Sequence, residues 1–315
     1  MHPAYSVIFF TTASGTGYGA LIWLVILAGT GATTPTFAFG AVTFVIALGL
    51  ITAGLLSSTF HLGHPERAWR ALSQWRSSWL SREGVAAVVT YVPALVFAAG
   101  WLLLGTVEGI WLWVGILAAI LSAATVACTG MIYASLRAIP RWSNPLVVPL
   151  YLGFSLSSGA ILMVTLAAIF GMTPGIWAWI AAAATALTWA MKKAYWRHID
   201  TAAPTATAES ATGLGEIGKV RLLESPNSSA NYIMREMGYG IARKHAARLR
   251  TISMVTGALV PIVALVLAGF LGGMPALAAV VLALLGTAIG VLVERWLFFA
   301  EAQHSAMLYY GASDV

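Results

Sequence analysis

The side chains best suited to chemistry in this sequence are a few ionisable residues set among long apolar stretches. They form two groups, one of His61, His64 and Glu83 and one of Glu294, Arg295, Glu301 and His304. An imidazole gains or loses a proton near neutral pH, and a carboxylate exchanges a proton with water. Such groups suit proton-coupled chemistry, provided that the surrounding elements bring them together.

The composition places these residues in a membrane protein. Of the 315 residues, 59% are hydrophobic and 9% are charged, and the mean hydropathy is +0.84. Soluble domains carry roughly 25% charged residues, so this chain lacks the polar surface of a soluble globule. A single cysteine, Cys128, also excludes a disulfide scaffold. The sequence therefore predicts an all-α, polytopic membrane protein.

Long apolar runs separated by Gly, Pro and charged residues predict eight transmembrane helices, since each span needs about 20 apolar residues. The predicted spans are 5–29, 39–61, 84–105, 110–135, 146–171, 174–193, 250–273 and 276–301. The whole chain, 1–315, is expected to form a single integral membrane domain. Two longer segments, 62–83 and 194–249, lie outside the membrane in this interpretation.

The basic residues predict which side of the membrane each loop faces. All but one of the 17 Lys and Arg residues lie in or beside three loops, those after the second, fourth and sixth spans. The loops on the other side, 30–38, 106–109, 172–173 and 274–275, contain no Lys or Arg. By the positive-inside rule, the three basic loops and both termini are cytoplasmic.

The two external segments differ in composition. Four apolar residues recur at helical spacing in 62–83, with arginines between them: Trp69, Leu72, Trp75 and Trp79. This pattern predicts a helix lying in the cytoplasmic interface. Segment 194–249 starts rich in Ala, Thr, Ser, Pro and Gly and continues as a basic stretch from about 229 to 248. We expect 194–249 to be a cytoplasmic partner-docking loop, in which the basic stretch forms a helical hairpin or an amphipathic helix. A solvated basic linker is the alternative.

His61 and Glu83 are expected at similar depth, because antiparallel spans joined by a short interfacial segment bring their ends together. An imidazole that bonds a carbonyl oxygen and a carboxylate that relays protons suit a quinone headgroup. We expect the quinone headgroup to be bound or surrounded by five further residues: His64, Arg67, Trp69, Trp75 and Arg82. Two simpler interpretations stay open, in which His61 is an interfacial anchor and Glu83 favours a helix N-terminus.

Other chemistries are less well supported by the residues. His61 and His304 form a conceivable axial pair for haem, but neither lies deep in a span, and we predict no haem. Cys128 by itself builds neither an iron–sulfur cluster nor a thiolate zinc site. Charged residues avoid the span midpoints, which disfavours an ion-coupled transporter. The run Gly15–Gly19 follows no strand and predicts helix packing.

The stretch from Ser58 to Gly84 carries a recognisable pattern. It reads Thr59-Phe60-His61-Leu62-Gly63, then Pro65, Arg67-Ala68 and Ser81-Arg82-Glu83. This pattern resembles the membrane-anchor subunits of dimethyl sulfoxide reductase, within the polysulfide-reductase/NrfD-like superfamily. The resemblance implies eight spans, no redox metal in this chain, and a quinone site served by His61 and Glu83 beside an iron–sulfur partner.

One departure refines the resemblance. In the respiratory enzyme the catalytic subunits face the periplasm, whereas the charge distribution here places the same side in the cytoplasm. The chain is therefore most similar to the membrane subunits of the cytoplasmic sulfite dehydrogenase branch. Segment 228–250 and the run Arg295-Trp296-Leu297-Phe298-Phe299 also resemble that branch.

That branch implies a bacterial inner-membrane subunit with two cytoplasmic partners, a four-cluster iron–sulfur subunit and a molybdopterin catalytic subunit. Electrons from sulfite would reach ubiquinone or menaquinone in the membrane, and this chain would not itself act on sulfite. Three alternatives remain: an anchor of a quinol-oxidising dimethyl sulfoxide or polysulfide-type reductase, a transporter, and a purely structural anchor.

Overall fold

The computed structural model describes residues 2–224, 226–229, 231–238 and 241–315, apart from the side chains of residues 61 and 241–244. Within these residues the chain is helical and forms no strand, although an isolated bridge joins Thr207 and Asp314. The expected fold class, an all-α polytopic membrane protein, is confirmed.

The helices run in chain order with short connections. The long ones in the first two thirds are α1 (Tyr5–Gly29), α2 (Phe37–Ser57), α3 (Trp79–Leu104), α4 (Ile110–Ala134), α5 (Val147–Ile169) and α6 (Gly175–Thr201). The remainder are α7 (Ala208–Thr212), α8 (Tyr232–Met237), α9 (Ile241–Met254), α10 (Val260–Phe270) and α11 (Gly273–Ala300). Shorter 3₁₀ helices form at Ser58–His61, Pro65–Gln74 and Ser305–Tyr310.

Seven helical stretches in the described part of the chain are long and apolar enough to cross a membrane. They coincide with all of the predicted spans except the sixth, 174–193. At that place α6 is 27 residues long and packs against α5 and α10. Its Ala-rich run is interrupted by Trp and Thr and ends at Lys192 and Lys193, which lowers its hydropathy. The count of eight and the side of the termini stay predictions.

The segment predicted as an interfacial helix folds back onto the beginning of α3. It forms the 3₁₀ helix Pro65–Gln74, and α3 begins at Trp79, before the predicted start of the third span. Arg82 of α3 links this segment to α3 through two hydrogen bonds. Its Nε donates to the carbonyl of Trp75 at 2.9 Å, and a terminal nitrogen donates to the carbonyl of Arg76 at 2.8 Å. The Arg82 side chain is therefore already engaged by the backbone.

Small residues let α1 lie at the centre of the bundle, against α2, α4 and α5. Gly17 faces the backbone of α2 at Ala47, and Gly19 faces the backbone of α5 at Ser155. Lipid supplies no hydrophobic force between helices, so close backbone approach is a main source of helix association. The prediction that the run Gly15–Gly19 serves helix packing is confirmed at Gly17 and Gly19, whereas nothing lies within 4 Å of a Cβ on Gly15.

A π-helical turn interrupts the continuous helix formed by α9 and α10. Residues Val255–Leu259 are π-helical, and the N–H of Val260 bonds to the carbonyl of Val255. Pro261 has no N–H to continue the α-helical ladder, and π turns occur where a helix absorbs one extra residue. Gly257 lies in this turn against Gly290 of α11.

The crossing of α1 and α5 predicts opposite effects for two glycines of α1. A Cβ on Gly19 would overlap the Ser155 carbonyl, whereas nothing lies within 4 Å of a Cβ on Gly15. We expect Gly19→Ala to lower the free energy of unfolding by about 1–3 kcal/mol. Gly15→Ala should leave it unchanged or raise it by about 0.5–1 kcal/mol. Thermal unfolding in detergent measures both; equal melting temperatures would contradict the crossing.

Candidate functional site

The side chain of Glu83 turns into the helix bundle near the beginning of α3. It is buried, with 4% of the residue exposed, and it shares a buried face of α3 with Ala87 and Thr90, at helical spacing. The hydroxyl of Thr129, on α4, donates to Glu83 Oε1 at 2.8 Å. Since a buried carboxylate is costly without such a partner, α4 stabilises the inward orientation.

No Lys or Arg nitrogen of the described residues forms an ion pair with Glu83. Its neighbours are phenols instead: Tyr18 of α1, Tyr133 of α4 and Tyr151 of α5 lie close enough to interact electrostatically with the carboxylate. The rings of Tyr133 and Tyr151 stack, with centroids 5.7 Å apart. A carboxylate among hydroxyls, without a fixed cation, is suited to taking up and releasing a proton.

A buried cluster of charges lies on the other side of Tyr151. The guanidinium carbon of Arg295 lies 3.9 Å from the centroid of the Tyr151 ring, and Arg295 Nε lies 3.4 Å from Glu294 Oε2. Lys192 Nζ lies 2.6 Å from Glu294 Oε1, with both side chains almost completely buried. We call Lys192, Glu294 and Arg295 the inner charge cluster, in which two basic side chains flank one carboxylate.

A second group of charges closes the same end of the bundle. Arg250 Nε donates to Glu301 Oε1 at 2.9 Å, and its two terminal nitrogens bond both oxygens of Asp200 at 2.5 and 3.0 Å. Arg141 donates to the backbone carbonyl of Glu301 at 2.8 Å. These contacts join α6, α9 and α11, and they supply each buried charge with an opposite partner.

A small polar cavity lies between the Glu83 pair and the inner charge cluster. Its volume is about 10 Å³, which is room for roughly one water molecule. Thr129, Tyr151 and Arg295 line it, together with hydroxyl groups of α1 and α5 that include Thr12 and Ser158. The cavity therefore places water-accessible space next to the threonine that holds Glu83.

Four other predicted site residues lie on the surface of the protein, whereas the Glu83 side chain is buried. His64 and Arg67 are exposed, and both contact Glu66, at 3.1 and 3.6 Å. Trp69 and Trp75 are 69% and 52% exposed. These four residues form, with Arg70 and Arg76 over the two indole rings, an exposed aromatic and basic surface on 64–76, which we call the docking surface.

His61 ends the 3₁₀ helix Ser58–His61, but its side chain lies outside the described part of the chain, so its expected hydrogen bond to a headgroup stays a prediction. His304 accepts a hydrogen bond from the N–H of Ala306 at 3.0 Å and begins the 3₁₀ helix Ser305–Tyr310. Within the described residues, no group of three or more His, Cys, Asp or Glu is placed to hold a metal ion.

Sequence reasoning missed the residues that surround Glu83. Thr125 and Thr129 are spaced by one turn on α4. This spacing is typical of a polar helix face but does not tell which helix that face meets. Tyr151 has no sequence signal beyond its type. Lys192 was assigned to the basic edge of a loop, although it lies in phase with the buried face of α6 that includes Thr188.

Comparison with known proteins gives two findings. The sequence model of the family described as DMSO reductase anchor subunit (DmsC) matches residues 1–311. A sulfite dehydrogenase subunit of Allochromatium vinosum is 36% identical to this chain, and the alignment covers 98% of this chain and 99% of that protein.

The inner charge cluster predicts a sharp difference between two adjacent lysines. Lys192→Met removes one partner of a buried pair, so we expect it to lower the free energy of unfolding by about 3 kcal/mol. Lys193 is exposed, and Lys193→Met is expected to change it by less than about 0.5 kcal/mol. Thermal unfolding of the two variants in the same detergent compares them directly. Equal losses would show that the Lys192–Glu294 contact adds nothing.

Proposed function

Because the chain belongs to the DMSO reductase anchor subunit family, we propose that it is the quinone-binding membrane anchor of a molybdenum and iron–sulfur oxidoreductase. The observation that carries the quinone site is the buried Glu83–Thr129 pair. The relative from Allochromatium vinosum is named as part of a sulfite dehydrogenase, which favours sulfite as the substrate of the catalytic partner.

The residues around Glu83 fit a quinone headgroup. Such a headgroup needs hydrogen-bond donors for its two oxygens and a group that exchanges protons with them. The hydroxyls of Tyr18 and Tyr151 are buried. Tyr18 interacts with the hydroxyl of Thr125, and Tyr151 interacts with Tyr133 and Arg295. Both phenols therefore belong to a polar network beside Glu83 that can donate to a ligand oxygen.

When bound, a quinone supplies a two-electron acceptor, whose reduction to quinol takes up the two electrons and two protons released as sulfite and water become sulfate. Glu83 is the proton-exchanging group of this chain, and Thr129 orients its carboxylate through the 2.8 Å hydrogen bond. His61 is assigned to hydrogen bonding with a headgroup oxygen. The guanidinium of Arg295 lines the small polar cavity and favours a ligand with electron-rich oxygens at this end of the bundle.

The exposed position of the docking surface supports a partner-binding role for it. Its residues include exposed tryptophans and arginines, the residue types enriched in protein interfaces. We assign it, with the basic segment 228–250, to the iron–sulfur subunit on the cytoplasmic side of a bacterial inner membrane. The catalytic molybdopterin subunit would bind through that partner. The family description leaves the reverse direction, quinol oxidation by a reductase, as the second candidate.

The proposed proton exchange predicts a selective effect of Glu83→Gln in the assembled complex. The amide keeps the size of the side chain but cannot exchange the proton, so we expect quinone-dependent turnover to fall about 100-fold. Turnover with a soluble electron acceptor that bypasses the membrane should be unchanged, which also shows that the complex assembles.

The matched control is Glu108→Gln, because Glu108 is exposed in the predicted non-cytoplasmic loop 106–109. It should leave both activities unchanged. A Glu83→Gln complex with the quinone-dependent turnover of this control would refute the proposed role of Glu83.

The proposed side of the partner predicts labelling from opposite faces of the membrane. In a Cys128→Ser background, a membrane-impermeant maleimide applied to intact spheroplasts should label Thr34→Cys and leave Ser73→Cys unlabelled. Both positions are exposed in this chain. Inside-out vesicles of cells that lack the partner subunits should therefore give the reverse pattern, because a bound partner would cover Ser73. Labelling of Ser73→Cys from outside would place the partner in the periplasm.

A further inference from the structure

A groove opens between α6 and the pair of helices α9 and α10, on the outside of the bundle. Its volume is about 570 Å³. Lys193, Arg250 and Thr251 line one end of it, and apolar residues line the rest, among them Val255 and Leu259 of the π-helical turn. These two are 43% and 58% exposed. The groove therefore joins a basic end to an open apolar wall.

The depth of the groove in the membrane follows from the span that forms its wall. The stretch His245–Phe270 is long and apolar enough to cross a membrane, and Arg250 and Thr251 lie near its beginning. From Thr251 to Ile262, the last groove residue, a helix rises about 16 Å. Half of the hydrocarbon core of a bilayer is about 15 Å thick. The groove thus extends over the depth of a single lipid leaflet, with its basic end toward the membrane surface.

Three exposed basic residues lie at this end of the groove. Lys193 lines the groove itself. Arg197 follows Lys193 by one turn on α6, and Arg248 precedes Thr251 by three residues on α9; both arginines are exposed. In the described part of the chain, no carboxylate forms an ion pair with any of the three. They can therefore bind an anion from the headgroup layer.

A fourth basic residue, Arg250, is paired but keeps free donors. A guanidinium has five N–H donors, and Arg250 uses three of them for Glu301 and Asp200. Its guanidinium carbon also lies 5.3 Å from the centroid of the ring of Trp196, another groove residue. Arg250 is thus held in place at the groove with N–H groups left for an oxygen ligand. Four basic side chains stand against two carboxylates here, so positive charge is in excess.

We propose that this groove binds an anionic phospholipid. The phosphate lies at the basic end against Lys193 and Arg250, and one acyl chain follows the apolar wall past Val255 and Leu259. Basic pockets between transmembrane helices bind anionic headgroups in this way. The lipid would fill the angle between α6 and α9, where the basic segment 228–250 enters the membrane.

Length and charge favour this occupant over two others. A transmembrane helix of a partner would cover about 30 Å of apolar surface, and the groove offers about half of that length. A neutral lipid would fit the apolar wall but would leave the excess positive charge at the basic end without a counter-charge. A phospholipid with a negative headgroup matches both the one-leaflet depth and the charge.

The test is native mass spectrometry of the full-length protein, purified in detergent with the subunits that accompany it. It is titrated with two lipids of identical acyl chains, phosphatidylglycerol, which carries a net negative charge, and phosphatidylcholine, which carries none. We expect the first phosphatidylglycerol to bind at least about five-fold more tightly. Inorganic phosphate at the same concentration should not displace it, because phosphate makes no contact with the apolar wall.

Substitutions separate the groove from a general attraction between basic proteins and anionic lipids. Lys193→Gln should weaken phosphatidylglycerol binding about five-fold and leave phosphatidylcholine binding unchanged. The matched control, Lys219→Gln, removes the same charge from an exposed position outside the groove and should alter neither. Leu259→Trp should fill the apolar wall and weaken binding of both lipids, whereas Leu285→Trp, at an exposed position of α11, should not.

Four outcomes would overturn the site. Equal affinity of the unaltered protein for both lipids would remove the role of charge. Equal losses in the Lys193→Gln and Lys219→Gln proteins would show unspecific attraction. Unchanged binding by the Leu259→Trp protein would place the acyl chain elsewhere, and displacement by inorganic phosphate would reduce the basic end to an anion site. None of these results bears on the proposed role of Glu83.

Discussion

A charge inside a lipid-surrounded bundle must find its counter-charge within the protein, and Glu294 satisfies this requirement by lying between Lys192 and Arg295. The requirement determines how the second half of the bundle is arranged. It aligns α6 with α11, and the contact of Arg295 with Tyr151 brings α5 to the same level. Arg250 then joins α9 to this end through Asp200 and Glu301. The charges that help to assemble these helices are for that reason already paired.

Glu83 stands apart from this arrangement. Its described contact is the hydroxyl of Thr129, a partner that holds the carboxylate in place without fixing its charge. The bundle therefore contains two kinds of buried carboxylate. Glu294 and Glu301 are matched by cations and keep helices together, whereas Glu83 has room to change its protonation. This contrast, and not burial as such, distinguishes Glu83 from the two carboxylates that hold helices together.

How much the sequence predicts depends on whether the signal is local. Hydropathy is summed within each helix, so the sequence predicts the starts of the spans at Tyr5 and Ile110 nearly to the residue. The span at α6 is ambiguous, because its Trp, Thr and Lys residues lower the mean hydropathy. Glu83 was found because a carboxylate beside an apolar run is unusual. Thr129, Tyr151 and Lys192 were missed, because their roles arise from which helices touch, and periodicity within one helix carries no information about its neighbour.

The π-helical turn at Val255–Leu259 separates α9 from α10. The two helices can therefore differ in their rotation about the common helix axis. An α-helix turns by about 100° per residue, so one residue more or less in this turn would rotate α9 by that angle while α10 kept its place against α6. The azimuth at which the Arg250 guanidinium emerges is thus determined by the length of a turn that contains no charged residue. In this chain the wide turn acts as a spacer, and it tunes a distant electrostatic contact by geometry.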